Sequence, residues 1–278
     1  MTATRDNIHQ YNIQTRHAGI AVIDTGGNGL PILFIHGNSS CKEIFRHQIN
    51  LLREKYRVLA LDLPGHGASS NASDPRQAYS MPGYAHTVIE VLEKIGINRV
   101  VVFGWSLGGH IGLEMLALFP KMIGLMICGT PPVSNGVDNV ASGFRPSKHM
   151  RLTGKAEFTE EDIKNFAAET CGVNAPHEPF LIEAVARTDG LARQYMFEAF
   201  LSPQATDQKI LAENSKIPLA IVNGASDPFI NIDYINGLIY QNLWKGQVFN
   251  LADVDHAPFW EAPELFNPIL ADFINDFQ

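Results

Sequence analysis

Ser106 stands at the centre of Gly104-Trp105-Ser106-Leu107-Gly108, a G-x-S-x-G pattern. A serine hydroxyl is a poor nucleophile at neutral pH. It needs a neutral imidazole to take its proton, and the imidazole needs a carboxylate to fix its tautomer and steady the cation that forms. Two later residues offer those groups: Asp227, closing Gly224-Ala225-Ser226-Asp227, and His256, within Asp253-Val254-Asp255-His256-Ala257-Pro258. Together the three side chains could attack an ester or lactone carbonyl. The negative oxygen that results needs donors aimed at it. His36-Gly37-Asn38-Ser39-Ser40 provides one, because Gly37 lets the backbone turn the N–H of Asn38 toward the site; the N–H of Leu107 provides another. The Asn38 side-chain amide is also placed to touch a substrate.

Each role has rivals. Asp253 and Asp255 sit beside His256 rather than after an earlier strand, and the loop Gly129-Thr130-Pro131 carries no carboxylate. His110 falls one helical turn beyond Ser106, pointing along the helix into packing, and His36 belongs to the oxyanion loop. Asp62 and His66 lie in Asp62-Leu63-Pro64-Gly65-His66-Gly67, where proline and glycine mark a rigid structural turn. None of the ten histidines forms H-x-H or H-E-x-x-H, so metallohydrolase spacing is absent, and no cofactor or metal is implied. Gly26-Gly27-Asn28-Gly29 is a tight turn and not a phosphate loop, because no Gly-Lys-Ser/Thr follows.

The elements that must hold these groups read as an α/β fold. Val100 to Phe103 form a short apolar, β-branched run, expected as a buried strand, and residues 107–119 as the helix after it. A strand turning directly into a helix pushes the corner residue, Ser106, out into the open at a helix N-terminus that favours negative charge. Residues 31–35, 56–61, 122–128, 218–222 and 247–251 read as further strands, and residues 11–25 as a hairpin turning near His17. Helices are expected at 44–52, from Ser80-Met81-Pro82 to Gly96, at 232–243 and at 263–277. Asp227 and His256 then both follow strands, so both can reach the edge where Ser106 stands.

Between residues 132 and 214 the pattern changes to helical segments with capping signals, such as Thr159 three residues before Asp162, and to dense aromatics. An inserted helical cap is expected there, with a hydrolase-like core at 1–131 and 215–278. Its apolar face would cover the site and accept an apolar substrate. The candidate substrate contacts are Asn38, Trp105, Phe144, Phe166 and Phe197.

Composition narrows the partners. The 278 residues carry a net charge of −8, which argues against a nucleic-acid partner. The cysteines, Cys41, Cys128 and Cys171, are odd in number and form no C-x-x-C, as suits a reducing compartment. The opening Met1 to Asn7 is polar, without the apolar core of a secretory signal, and no apolar run is long enough to cross a membrane. A soluble cytoplasmic protein acting on a small molecule is the expectation. Oligomeric state is not legible.

The motifs Phe34-Ile35-His36-Gly37-Asn38, Asp62 to Gly67, Gly104 to Gly108, Gly224 to Asp227 and His256 resemble the α/β-hydrolase superfamily over nearly the whole length, including its order of Ser, then acid, then His. A closer resemblance covers His36 to Ser40, Phe103 to Gly112, Gly129-Thr130-Pro131-Pro132-Val133, Thr170-Cys171-Gly172, Ala186-Arg187-Thr188-Asp189-Gly190 and His256-Ala257-Pro258-Phe259. These are similar to the metal-independent N-acyl-homoserine lactonases, which degrade bacterial quorum-sensing signals. The resemblance implies ring-opening hydrolysis through an acyl-enzyme, with an acyl chain under the cap. Two positions depart from the lactonase pattern: Asp227 stands where it has Glu, and Phe166 where it has a cap tyrosine. Two other readings share the same residues, a general carboxylesterase or C–C hydrolase, and a hydrolase-fold receptor with little turnover.

Overall fold

Apolar runs with no polar alternation must bury both faces, and here they line up side by side in one sheet. The computed structural model describes residues 8–147, 150–172 and 174–278. The polar opening Met1 to Asn7 lies outside them. The strands are β1 (His9–Gln14), β2 (Gly19–Asp24), β3 (Pro31–Ile35), β4 (Arg57–Leu61), β5 (Val100–Trp105), β6 (Met122–Cys128), β7 (Leu219–Gly224) and β8 (Phe249–Leu251). Among the described residues they form one eight-stranded sheet in the order β1-β2-β4-β3-β5-β6-β7-β8. Only the β1-β2 and β2-β4 pairings are antiparallel. Parallel pairing aligns the carboxyl ends: Ile35 faces Gly104, Trp105 faces Cys128 and Gly224 faces Leu251. The loops carrying Asn38, Ser106, Asp227 and His256 therefore leave the sheet along the same edge, where open α/β sheets bind ligands.

Helices cover both faces. On one, Leu33, Val102, Leu125 and Ile221 pack in a cluster with Tyr84, Val88 and Leu92 of the helix Met81–Lys94 and Ile111 and Met115 of the helix Leu107–Leu118. Ser80 caps the first of these by accepting the N–H of Gly83, with Pro82 in its first turn. The other face is aromatic. Phe103 has Phe34, Phe45, Phe259 and Phe266 around it at ring-centroid distances of 5.2–5.7 Å. Each ring is buried and stabilises the fold by about 1.5–3 kcal/mol.

The helices Val137–Ser142, Glu160–Cys171, Pro179–Arg187, Gly190–Phe200 and Gln208–Glu213 fall between β6 and β7, in the stretch expected as a cap. Thr159 and Asp162 make a complete capping box at Glu160. Leu152, Phe166, Ala167 and Val185 form a small separate core.

One expectation needs correction. The helix expected at 232–243 ends at Gly237. The chain then runs extended at Leu238, and residues 241–243 are drawn off: Gln241 N–H donates to Glu213 O, and Leu219 N–H donates to Asn242 O. Tertiary pairing there overrides helix propensity. Residues 258–261 also form a one-turn helix, with Pro258 at its start.

The Asp62 turn is held by a buried ion pair. Asp62 accepts from Lys42 Nζ at 2.8 Å, Lys42 N–H at 2.7 Å and Ala68 N–H at 2.8 Å. Burial works against the Lys42 cation, but Asp62 and Glu43 outweigh it and raise the lysine pKa. Replacing Asp62 by Ala leaves that buried cation only the half-exposed Glu43 as a partner, and a loss of about 3–5 kcal/mol is expected in urea unfolding. A loss within about 0.5 kcal/mol would refute this role.

Candidate active site

Ser106 sits in a backbone conformation that side chains rarely adopt, with φ 53° and ψ −116°. Such strain costs about 1–3 kcal/mol and persists only where the surroundings enforce it. Here they do: Ser106 N–H donates to Cys128 O at 2.8 Å, and Thr130 Oγ1 donates to Ser106 O at 3.0 Å. The flanking glycines are obligatory. A Cβ on Gly104 would meet Gly108 O at 2.2 Å, and a Cβ on Gly108 would meet Ile35 O at 2.0 Å. The G-x-S-x-G spacing is thus a packing requirement of the strand-to-helix corner.

Asp227 is fully buried. Its Oδ1 accepts the N–H groups of Phe229 at 2.8 Å and Ile230 at 3.3 Å. Its Oδ2 lies 2.7 Å from His256 Nδ1. The carboxylate is acceptor-only, so Nδ1 bears the proton and Nε2 is free to accept one. The imidazole stands among Phe229 at 5.0 Å and Trp105 at 5.6 Å. Trp105 N–H donates to His256 O at 2.9 Å, fixing the loop that carries the ring.

Ser106 and His256 border a small cavity of about 60 Å³ together with Asn38, Trp105, Phe166, Thr170 and Phe229. Among the described residues the Ser106 hydroxyl makes no hydrogen bond, to His256 or otherwise. Such contacts are often loose in unliganded enzymes and tighten in complexes. A larger cavity of about 270 Å³ also reaches Ser106, and is walled by Leu107, Val140, Phe144, Met196, Phe197 and Phe200. Asn38 borders both spaces. Among the described residues neither the N–H of Asn38 nor that of Leu107 has a partner.

Every residue named from sequence as a candidate reaches one of the two spaces except Asp227, which is fully buried behind His256. Phe144 borders both, Phe197 the larger, Phe166 and Trp105 the smaller. Trp105 is 1% exposed and its N–H is already committed, so it offers a wall and no donor. The Asn38 amide is partly engaged as well, donating to Thr153 O at 3.0 Å. Sequence reading missed Met150, Thr153 and Phe229. The first two lie in the 3-10 turn Met150–Gly154, which has no periodic signature; Phe229 was detectable as the residue two beyond the acid.

A buried arginine ties Lys155 and Ala156 to the loop that carries Asn38. Arg193 donates to Lys155 O at 2.9 Å, to Ala156 O at 2.8 Å and to Ser39 Oγ at 3.4 Å, with Phe158 under its guanidinium. Burial lowers its pKa to about 10, still protonated at neutral pH. Ser39 Oγ in turn donates to Asn38 Oδ1 at 3.2 Å. Asp62 and His66 border neither cavity. Among the described residues, no group of three or more His, Cys, Asp or Glu could hold a metal ion, and no helix is long and apolar enough to cross a membrane.

A serine at a strained corner, a carboxylate-imidazole pair beside it and a mostly parallel sheet beneath define a hydrolase architecture. The profile of the alpha/beta hydrolase family matches residues 32–269, and the chain belongs to that family. Among solved structures it is similar to the N-acyl homoserine lactonase AidH in complex with N-butanoyl homoserine, at 46% identity, TM-score 0.93 and 97% coverage of both chains. The esterase RhEst1 from Rhodococcus sp. ECU1013 shares the fold at 22% identity and TM-score 0.76, over 96% of this chain and 98% of that one. Hydrolase YugF of Bacillus subtilis (strain 168) is 25% identical over 87% of this chain and 89% of its own length. Another match is local: a serine hydrolase-like protein of Danio rerio is 34% identical over 34% of this chain and 29% of that protein.

Proposed function

We propose that this protein opens the lactone ring of N-acyl homoserine lactones by serine catalysis, and so acts as a quorum-quenching enzyme. The observation that carries the reading is the Asp227-His256 pair at 2.7 Å beside Ser106, at the junction of a small space and a larger, apolar one. The likeness to a lactonase at 46% identity supports the choice of substrate.

In this mechanism His256 Nε2 takes the Ser106 proton as Oγ attacks the lactone carbonyl. The N–H groups of Asn38 and Leu107 receive the oxyanion. When the ring C–O bond breaks, the alkoxide takes the proton from His256 and stays tethered to the acyl group. Water, deprotonated by His256, then attacks the acyl-enzyme and releases the N-acyl homoserine. The lactone ring fits the small cavity and the acyl chain the larger one. On this reading residues 132–214 are the substrate-selecting unit, set between core segments 1–131 and 215–278. Phe166 gives the lactone space an apolar wall where the lactonase pattern has a tyrosine.

The test is kcat/KM for a series of acyl homoserine lactones against aryl esters of matched acyl length. Lactones are expected to exceed the esters by at least about tenfold. Esters turned over equally well would make the protein a general carboxylesterase, and a burst without steady turnover would make it a receptor.

A further inference from the structure

Apart from Asn38, Ser106 and Thr153, the large cavity has an apolar wall with one polar member, the ring of His110. It sits among Val140, Phe144, Met196 and Phe200, with its centroid 4.7 Å from that of Phe200. His110 N–H donates to Ser106 O at 3.1 Å, so the ring lies one helical turn from the nucleophile, roughly 5–6 Å along the axis.

Its protonation state is set from behind. Gln208 Nε2 donates to His110 O at 3.3 Å and to Glu114 Oε1 at 2.8 Å. A backbone carbonyl can only accept, which fixes the orientation of the Gln208 amide. Gln208 Oε1 therefore faces His110 Nδ1, at 2.7 Å, and the proton is on Nδ1. Burial lowers the His110 pKa to about 4, so the ring is neutral at physiological pH. Thr206 Oγ1 donates to Glu114 Oε2 at 2.6 Å and completes the buried chain. His110 Nε2 is then a lone-pair acceptor with no partner among the described residues, on a ring that borders the cavity.

An unpaired acceptor in an apolar wall selects a donor. We propose that His110 is a specificity-determining residue that accepts a hydrogen bond from a hydroxyl on the acyl chain, so that the preferred substrates are β-hydroxyacyl homoserine lactones of one configuration. This rests on the lactonase reading above. A β-oxo group offers only acceptor lone pairs and gains nothing from Nε2. An unsubstituted chain leaves Nε2 bare.

The experiment compares kcat/KM for the two β-hydroxy enantiomers, the β-oxo and the unsubstituted lactones of one chain length, in the wild type, His110→Phe and Gln208→Leu. In the wild type one enantiomer is expected to exceed the unsubstituted lactone by about fivefold. In His110→Phe that ratio is expected to fall at least about tenfold, because the hydroxyl is then buried unpaired. Gln208→Leu frees the ring to change tautomer and lowers the ratio with His110 in place. Nitrogen-15 spectra of the wild type should show the proton on Nδ1 of His110. Should His110→Phe not fold, the Gln208→Leu ratio and the spectrum decide. Equal ratios in all three proteins, or a proton on Nε2, would overturn the proposal while lactone turnover stands. If no lactone is turned over, the lactonase reading fails first and this proposal falls with it.

Discussion

Ser106→Ala is expected to reduce lactone turnover by roughly 10⁴- to 10⁶-fold, the range seen when a serine nucleophile is removed and only the oxyanion donors and binding remain. The fold should be unaffected. The strain at this corner belongs to the backbone, with φ 53°, and alanine keeps the same Cβ. The hydroxyl makes no hydrogen bond among the described residues, so its loss leaves no orphaned partner there. The urea midpoint is expected to move by no more than about 0.5 kcal/mol equivalent. Turnover and unfolding measured on the same preparation separate the two effects. Retained turnover would remove Ser106 from the chemistry.

Asp227→Asn is expected to lower kcat by about 10⁴-fold with little change in KM. The fully buried carboxylate takes two backbone N–H groups on Oδ1 and faces His256 with Oδ2. An asparagine keeps the first pair of bonds only by turning its NH₂ toward Nδ1. Nδ1 must then accept, the ring proton moves to Nε2, and the imidazole can no longer take the Ser106 proton. The variant should fold, because shape is conserved. A kcat loss below about tenfold would mean that Asp227 holds the loop and does not orient the base.

Much of this site was legible because its chemistry and its packing constrain the same residues. Gly104 and Gly108 leave no room for a Cβ, so the corner announces itself in the chain. The strands β3, β5 and β6 carry continuous apolar runs because both faces are covered. Ser80 and Thr159 mark helix starts through bonds made within three residues. What was not legible depends on partners distant in the chain. The helix at 232 stops at Gly237 because residues beyond it pair with Leu219 and Glu213. His110 reads as a packing residue on its helix, and only the approach of Gln208, 98 positions later, gives its free nitrogen a defined character. Thr153 reaches the site through one carbonyl, a contact without a side-chain signature.

In the proposed reaction the Ser106 hydroxyl, activated by His256, becomes covalently bonded to the acyl group. Treatment with an alkyl fluorophosphonate followed by peptide mass mapping tests it most directly. One adduct per chain is expected, on the peptide containing Ser106, formed in step with loss of lactone turnover and greatly slowed in His256→Ala. An adduct on another residue, or full lactone turnover by protein labelled at Ser106, would contradict it.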